Sequence, residues 1–321
     1  MTNDAKNQLP SRQVPKLSLL HYIHGNQTER SQFVDQLMIG LKEYGFIILV
    51  DHLVDQNKVD NAYHLVKEFF DLPIETKLKY KSKQGGQRGY TPFKVEHAKD
   101  HKFGDLKEFW HVGRELSTQS PYYGQYPENI WSDELPQMKE VFNSLYLSLD
   151  QTANFLLDAI GEGLEVSPQF FREMTKDGNS ILRMIHYPPT KGEDTKNSIR
   201  AAAHEDINLI TLLVGATDSG LQLKDRDGSW LDVQSLPGEI VVDTGDMMAR
   251  LTNNVLPSTT HRVINPDNDS SRRFSMPYFV HPHSEASLAC IPSCLNQGPL
   301  FPEITAGNFL MQRLREIGLY S

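Results

Sequence analysis

From Ile181 onward the chain is a series of short apolar or alternating runs separated by Gly, Pro, Asn and Asp. The runs lie at 181–187, 207–214, 220–224, 229–233, 239–243, 260–264 and 273–280. Evenly spaced short strands of this kind are typical of an all-β sandwich or barrel. Residues 225–228 end in Asp-Gly and predict a hairpin turn, because this dipeptide tolerates positive φ. We therefore predict a double-sheet jelly-roll core over residues 178–285.

The chain before residue 178 has a more helical pattern. We predict a short strand at 14–20, a helix at 27–44 ended by Gly45, a buried strand at 46–50, and helices at 56–70 and 135–164. A further short helix is expected to have Ser167 at its N-cap and Pro168 at its first position. Residues 1–14 are polar and expected to be loosely attached, and residues 80–125 are expected to form long loops and short strands.

The predicted fold class is therefore mostly β with flanking helices (α+β). Three regions are expected: a helix and strand region at 14–130, the jelly roll at 178–285, and a C-terminal segment at 286–321. Within the last region, residues 305–317 have a helical pattern. We expect them to pack on the scaffold, where they could also cover a cavity.

Composition limits the kind of partner. Acidic residues number 41 against 32 basic ones, so the formal net charge is −9 and the pI is about 5.7. This balance argues against nucleic acid, which binds to basic surfaces. No membrane span is expected, because no apolar stretch reaches about 18 residues, and residues 1–14 lack the apolar core of a signal peptide. With Cys290 and Cys294 as the only cysteines, we expect no disulfide framework and a cytoplasmic location.

Two metal-capable side chains lie one residue apart at the start of a strand-like run. His204 and Asp206 are residues i and i+2, which point to the same face of an extended backbone. His261 offers a third ligand far downstream. Two histidines and one carboxylate on one face of an ion leave other positions open, as in the facial triad of non-haem Fe(II) oxygenases. A structural zinc site would use four Cys or His ligands, and only three candidate ligands are found here. The type of ligand alone does not distinguish an iron oxygenase from a zinc hydrolase.

A second i, i+2 pair follows in the last strand-like run. Arg273 and Ser275 can face the same cavity, where a guanidinium fork beside a hydroxyl would hold a carboxylate. This pair argues against a zinc hydrolase, because it suits a chelating keto acid.

Other candidate ligands are interpreted as structural. His281 and His283 follow the last strand-like run but lack a companion ligand. Asp232, Asp243 and Asp246 are rivals of Asp206, and Asp246 is expected to be a turn residue whose side chain caps backbone N–H groups.

Together these residues resemble the isopenicillin N synthase-like branch of the 2-oxoglutarate/Fe(II) dioxygenases, over nearly the whole chain. Besides the two i, i+2 pairs and His261, the resemblance rests on three short motifs. These are His-Tyr-Pro-Pro at 186–189, Gly-Leu-Gln-Leu at 220–223 and Pro-Gly-Glu at 237–239.

The resemblance implies a set of cofactors and a reaction. They are Fe(II), 2-oxoglutarate as cosubstrate and O2, with ascorbate as a candidate reductant. The keto acid would chelate iron, and Arg273 and Ser275 would hold its distal carboxylate. Tyr187 aligns with a family tyrosine that hydrogen-bonds a bound carboxylate, whereas Ile185 stands where many plant members have Asn. The implied reaction oxidises a small-molecule substrate, by hydroxylation in the simplest case, and releases succinate and CO2.

Substrate contacts are expected from residues 85–115 and from the tail after Leu300. Arg88, Tyr90 and Trp110 are the candidates, although plain packing against the core is an equal expectation for each aromatic. Arg88, Lys94 and Arg183 could hold an acidic substrate, or could be solvated or paired with carboxylates.

Two alternatives stay open at the level of sequence. The first is an oxidase without 2-oxoglutarate, like isopenicillin N synthase itself, in which the Arg-x-Ser pair binds a carboxylate of the substrate. The second is a non-catalytic jelly-roll module that binds a small acid. The sequence leaves the oligomeric state open, and a monomer is compatible with it.

Overall fold

The structure, a computed structural model, describes residues 12–82, 86–97, 103–189, 199–217, 219–265, 271–295 and 298–316. The helices are α1 (Leu19–Ile23), α2 (Gln27–Tyr44), α3 (Gln56–Asp71), α4 (Ile74–Leu78), α5 (Met138–Gly163), α6 (Phe170–Thr175), α7 (Asp246–Leu251) and α8 (Ala306–Glu316). The strands are β1 (Lys16–Ser18), β2 (Phe46–Val50), β3 (Gly89–Thr91), β4 (Glu108–Gly113), β5 (Ile181–Tyr187), β6 (Ala201–His204), β7 (Ile210–Val214), β8 (Leu221–Lys224), β9 (Trp230–Asp232), β10 (Ile240–Thr244), β11 (His261–Val263) and β12 (Arg273–Val280).

The strands form two facing sheets. The larger sheet has the order β1-β2-β10-β7-β12-β5-β4-β3, and the smaller has the order β6-β11-β8-β9. Apart from the parallel β1–β2 pair, all the strand pairs are antiparallel. Side chains from the inner faces of both sheets meet in one apolar cluster, which includes Val241 and Ile185 from the larger sheet and Leu223 and Val263 from the smaller. This is the jelly-roll core that the strand spacing predicts, with flanking helices, and the predicted fold class is confirmed.

Helices cover the outer face of the larger sheet. The long helix α5 packs against α2, α3, β7 and β12, and its buried stripe of Leu145, Leu149, Leu156 and Ile160 belongs to the main core. Helix α2 begins with a capping box between Asn26 and Glu29 and ends at Gly45, whose φ of 68° suits glycine. The larger sheet is therefore buried on both faces, which leaves the space between the sheets as the interior cavity.

Several elements agree with the sequence prediction to within a few residues. The 225–228 turn joins β8 to β9, and Gly228 has φ +85°. Two predictions are wrong. Asp206 does not continue the extended backbone of His204, because β6 ends at His204 and β7 begins only at Ile210. Helix α6 begins at Phe170 rather than Pro168, after a turn in which the Gln169 N–H donates to Ser167 Oγ.

The remaining predictions concern the ends of the chain. Residues 1–11 lie outside the described part, so the expectation of loose attachment is not tested. The predicted C-terminal helix is present as α8. Among the described residues, no helix combines the length and apolar character that crossing a membrane requires.

Candidate metal centre and active site

His204, Asp206 and His261 meet at one end of the space between the sheets. His204 is the last residue of β6, and it lies directly opposite His261, the first residue of β11, in the antiparallel register. Asp206 Oδ1 lies 3.9 Å from Nε2 of each histidine. One donor atom from each of the three residues falls within 4.8 Å of the others, and no other such group of three His, Cys, Asp or Glu residues occurs in the described chain.

Backbone carbonyls fix the orientation of both imidazoles. Nδ1–H of His204 donates to the carbonyl of Ala202 at 2.7 Å, and Nδ1–H of His261 donates to that of Thr259 at 3.1 Å. Because a carbonyl can only accept, each ring carries a proton on Nδ1, and its Nε2 faces the common point. Burial and the neighbouring His261 lower the pKa of His204 to about 4, so this ring is neutral at physiological pH. Neutral imidazoles that are bonded in this way are typical metal ligands.

Asp206 is held both at its carboxylate and at its backbone. Its Oδ2 accepts a hydrogen bond from Thr211 Oγ1, which itself accepts one from Asn208 Nδ2 at 2.9 Å. The backbone carbonyl of Asp206 accepts from the N–H of Asp246 at 2.7 Å. Glu205 turns away and accepts from Thr260 Oγ1. The third donor therefore comes from a braced turn, and its free Oδ1 faces the two histidines.

The Arg273–Ser275 pair lies across the cavity on the larger sheet. Both side chains are buried and line the cavity, and Arg273 Nη1 donates to Ser275 Oγ at 3.3 Å. Arg273 pairs with Tyr187 of β5 in the register, and its guanidinium lies 5.0 Å from the centre of the Tyr187 ring. A cationic fork, a hydroxyl and a phenol thus converge on the cavity that contains the triad.

Charged residues also line the wall formed by β4, β5 and the segment before β4. Arg183 makes a double contact with Glu96, at 2.9 and 3.0 Å, and Lys107 contacts Glu96 at 2.7 Å and Asp105 at 2.8 Å. Burial alone would raise the pKa of Glu96, but the cations of Arg183 and Lys107 outweigh it and hold this pKa below its usual range. The cavity has a volume of about 470 Å³.

The three substrate candidates from the sequence do not line this cavity. Trp110 points to the opposite face of the larger sheet, where the centre of its ring lies 4.6 Å from the centre of the Phe69 ring. Tyr90 is fully buried, and its hydroxyl donates to Glu108. The buried Arg88 donates to Asn179 Oδ1 and to the carbonyl of Gln87. Packing, rather than access to a ligand, therefore accounts for their positions.

The rival ligands fall into different roles. Asp232 is exposed on β9 and accepts from Gln222. The prediction that Asp246 caps a backbone N–H is wrong, because its carboxylate pairs with Arg313 of α8 at 3.0 Å and makes no cap. Asp243 lines the cavity outside the triad, and burial and the nearby Asp206 raise its pKa well above the usual value. His281 also lines the cavity, whereas His283 bonds to Tyr122 at 2.7 Å.

The sequence patterns do not single out several residues that line the cavity, namely Glu96, Lys107, His111 and Thr211. For β5 a signal was available. Tyr187, Ile185 and Arg183 alternate along the strand, so identifying Tyr187 also places Arg183 on the inner face. For Glu96 and Lys107 no local signal exists, because their segment lacks regular periodicity.

A jelly roll with two histidines and one carboxylate at an open site defines the class of mononuclear non-haem iron oxygenases. Comparison with known proteins agrees. Residues 14–134 match the family described as "non-haem dioxygenase in morphine synthesis N-terminal", and residues 178–282 match the "2OG-Fe(II) oxygenase superfamily". A "2-oxoglutarate-Fe(II) type oxidoreductase" from Emericella nidulans is 31% identical over 288 residues, or 86% of this chain and 82% of its own.

Solved structures give the same answer. A 2OG-Fe(II) oxygenase family protein from Caulobacter crescentus is 41% identical, with a TM-score of 0.85 over 95% of this chain and 99% of its own. A full-length Neurospora crassa protein in complex with α-KG (2-oxoglutarate) is 27% identical, with a TM-score of 0.83 over 94% and 96%. The chain belongs to the isopenicillin N synthase-like family of 2-oxoglutarate/Fe(II) oxygenases, and it is a 2-oxoglutarate- and Fe(II)-dependent dioxygenase. These findings favour this class over an oxidase without 2-oxoglutarate and over a non-catalytic module.

Proposed function

We propose that His204, Asp206 and His261 hold the Fe(II), and that Arg273 and Ser275, with Tyr187 beside them, hold the distal carboxylate of 2-oxoglutarate. The observation that carries this proposal is that the three-donor group and the buried Arg273–Ser275 pair line one cavity. The donor set fits iron because both rings offer Nε2 and no further His, Cys, Asp or Glu donor joins the group among the described residues.

The residues have separate tasks in this scheme. When bound, iron and 2-oxoglutarate supply the oxidising chemistry, which consumes O2 and releases succinate and CO2. His204, Asp206 and His261 would hold the ion where β6 ends and β11 begins, and Arg273 and Ser275 on β12 would bind the distal carboxylate of the keto acid. The two sheets and α8, whose Leu310 and Leu314 line the cavity, exclude water from the reacting groups.

The substrate is proposed to be a small molecule that is hydroxylated within this cavity. The cavity volume of about 470 Å³ suits a keto acid together with a compact second molecule. The Neurospora crassa protein has also been solved in complex with α-KG and thymine, and in that structure it is 26% identical to this chain over 94% of it. That relative supports a small polar ring as the kind of substrate to test first.

The test is an anaerobic titration with Fe(II) and 2-oxoglutarate. The wild-type protein should develop the weak visible charge-transfer band of an iron–keto acid chelate, and on admission of O2 it should release succinate. The Asp206→Ala variant should lose the band, whereas Asp232→Ala, on the exposed side of β9, should keep it. A wild-type protein without the band at saturating cosubstrate, or a full band in the Asp206→Ala variant, would overturn the assignment.

A further inference from the structure

The triad and the clamp leave part of the cavity wall unexplained. One part of this remaining wall, which we call the inner wall, is formed by Phe279, His281 and Ile181 together with the paired charges around Arg183. The inference below rests on the proposed function, because it concerns the second molecule that shares the cavity with 2-oxoglutarate.

The charges of the inner wall neutralise one another. Two cations, Arg183 and Lys107, face two carboxylates, Glu96 and Asp105, at contact distances of 2.7 to 3.0 Å. His111 accepts from Arg183 Nε and donates from Nδ1 to a backbone carbonyl, so it is a neutral ring with both nitrogens bonded. A charged substrate group would find no uncompensated partner here, and its desolvation would not be repaid.

His281 differs from these groups, because no described residue hydrogen-bonds its imidazole. The residue is 7% exposed and lines the cavity. Its Nδ1 is enclosed by protein without a partner, which leaves Nε2 as the nitrogen available to a ligand. Burial lowers the pKa of His281 to about 4, so the ring is neutral at physiological pH.

The backbone of His281 is fixed even though its ring is not. The N–H of His281 donates to Ser180 Oγ at 3.1 Å, and the Ser180 hydroxyl lies 3.5 Å from the carbonyl of His281. Phe279, two residues earlier, faces the same cavity and is only partly buried. A neutral hydrogen-bonding group on an anchored backbone, beside a partly buried aromatic side chain, suits the binding of a flat polar ring.

We propose that His281 is a specificity-determining residue that hydrogen-bonds an uncharged, planar substrate lying against Phe279. The substrate class is a small aromatic or heterocyclic ring with an amide, carbonyl or similar neutral polar group. Carboxylate substrates are disfavoured, because Arg183 is already occupied by Glu96 and Arg88 lies outside the cavity lining.

The test compares two probes of equal shape, benzamide and benzoate, by anaerobic calorimetry of the protein with Fe(II) and saturating 2-oxoglutarate. Benzamide should bind in the millimolar range or better, and benzoate should bind at least about tenfold more weakly. His281→Phe should weaken benzamide binding about three- to tenfold, as expected for one hydrogen bond. His281→Gln should retain binding, since it keeps a polar group, and His283→Phe, outside the cavity, should bind like the wild type.

Each result decides the matter. The wild-type protein alone tests the inference, even if a variant fails to fold. The inference is overturned if the wild-type protein binds benzoate more tightly than benzamide, or if it does not bind benzamide. Unchanged benzamide affinity in His281→Phe also overturns it. The chelate band recorded on the same samples separates this failure from failure of the proposed function, because a normal band with no ring binding contradicts only the substrate class.

Discussion

Thr211 offers a sharp test of how the metal site is built. It lies on the inner face of β7, and its hydroxyl donates to the Asp206 oxygen that does not face the histidines. The same hydroxyl accepts from Asn208 Nδ2 at 2.9 Å. In Thr211→Val the shape is kept and both bonds are lost. Asp206 can then rotate, and the Asn208 amide loses a partner in a buried place.

The magnitude follows from the kind of bond. A hydrogen bond to a charged group contributes about 1.5–3 kcal/mol, and loss of a partner that orients a metal ligand typically weakens metal binding about 10- to 100-fold. The two figures agree, since a factor of 10 corresponds to about 1.4 kcal/mol. We therefore expect Thr211→Val to weaken Fe(II) binding by about 10- to 100-fold, with the ligands themselves unchanged.

The assay is an anaerobic Fe(II) titration in a calorimeter, which measures the affinity for Fe(II). Thr211→Ser keeps the hydroxyl and should bind iron within about threefold of the wild type, which corresponds to well under 1 kcal/mol. Thr217→Val is a matched control, because Thr217 Oγ1 also accepts a hydrogen bond, from the N–H of Phe274, but does not contact a triad residue. Unchanged iron affinity in Thr211→Val, or equal losses in all three variants, would refute the argument that this hydroxyl positions Asp206.

Three further predictions concern buried charged or titratable residues: Glu96, Arg273 and His281. Glu96→Gln should lower the free energy of unfolding by about 3–5 kcal/mol in a denaturant titration, because Arg183 and Lys107 lose their shared carboxylate. Arg273→Lys should raise the KM for 2-oxoglutarate about tenfold or more, measured by succinate release, because an ammonium cannot replace the planar fork. Acid should destabilise the metal-free protein, because the pKa of His281 is about 4 in the folded state and about 6.5 in the unfolded state. The free energy of unfolding should therefore fall as the pH drops from 6.5 toward 4, and the complete loss due to His281 is about 3 kcal/mol.

Each of these has its own control. Glu162→Gln removes an exposed pair with Arg30 and should cost about 1 kcal/mol or less, so an equal loss in both glutamate variants contradicts the argument from burial. For Arg273→Lys, an unchanged KM for the keto acid would remove the clamp from the mechanism. For the acid transition, His281→Phe should show a shallower loss of stability between pH 6.5 and 4, and an identical slope would rule His281 out as a source.

The fold was largely predictable because hydrophobic periodicity and turn chemistry are local properties. Strands β5 and β12 have the predicted bounds, 181–187 and 273–280, and helix α2 agrees at both ends. The inner wall of the cavity was not predictable in the same way. Trp110 and His111 are neighbours on β4, yet one packs under the sheet and the other faces the cavity. A shift of one residue in register exchanges the two faces of a strand, and in an isolated sequence nothing fixes that register.

The structure brings His204, Asp206 and His261 together, but for a partly different physical reason than the sequence pattern suggests. The i, i+2 spacing predicts His204 and Asp206 on one extended strand, but the strand ends at His204 and Asp206 lies in the following turn. What brings the donors together is non-local. The pairing of β6 with β11 sets His204 opposite His261, and Thr211 and the backbone of Asp246 hold the turn that carries Asp206. The spacing pattern picked out His204 and Asp206 because both arrangements turn the first and third residues to one side.

The two sheets contribute different parts of the site, and this explains why some coordination positions of the ion would stay free. Both histidines come from the smaller sheet, through the β6–β11 pair, whereas Arg273 and Ser275 come from β12 in the larger sheet. A ligand that spans from the triad to the clamp must therefore cross the gap between two separately braced layers. Each imidazole is already oriented by a backbone carbonyl and the carboxylate by Thr211, so the donors are positioned by the fold itself. Because three donors are fixed on one side and the facing layer offers a clamp instead of a fourth donor among the described residues, the arrangement suits an exchangeable keto acid better than a sealed structural ion.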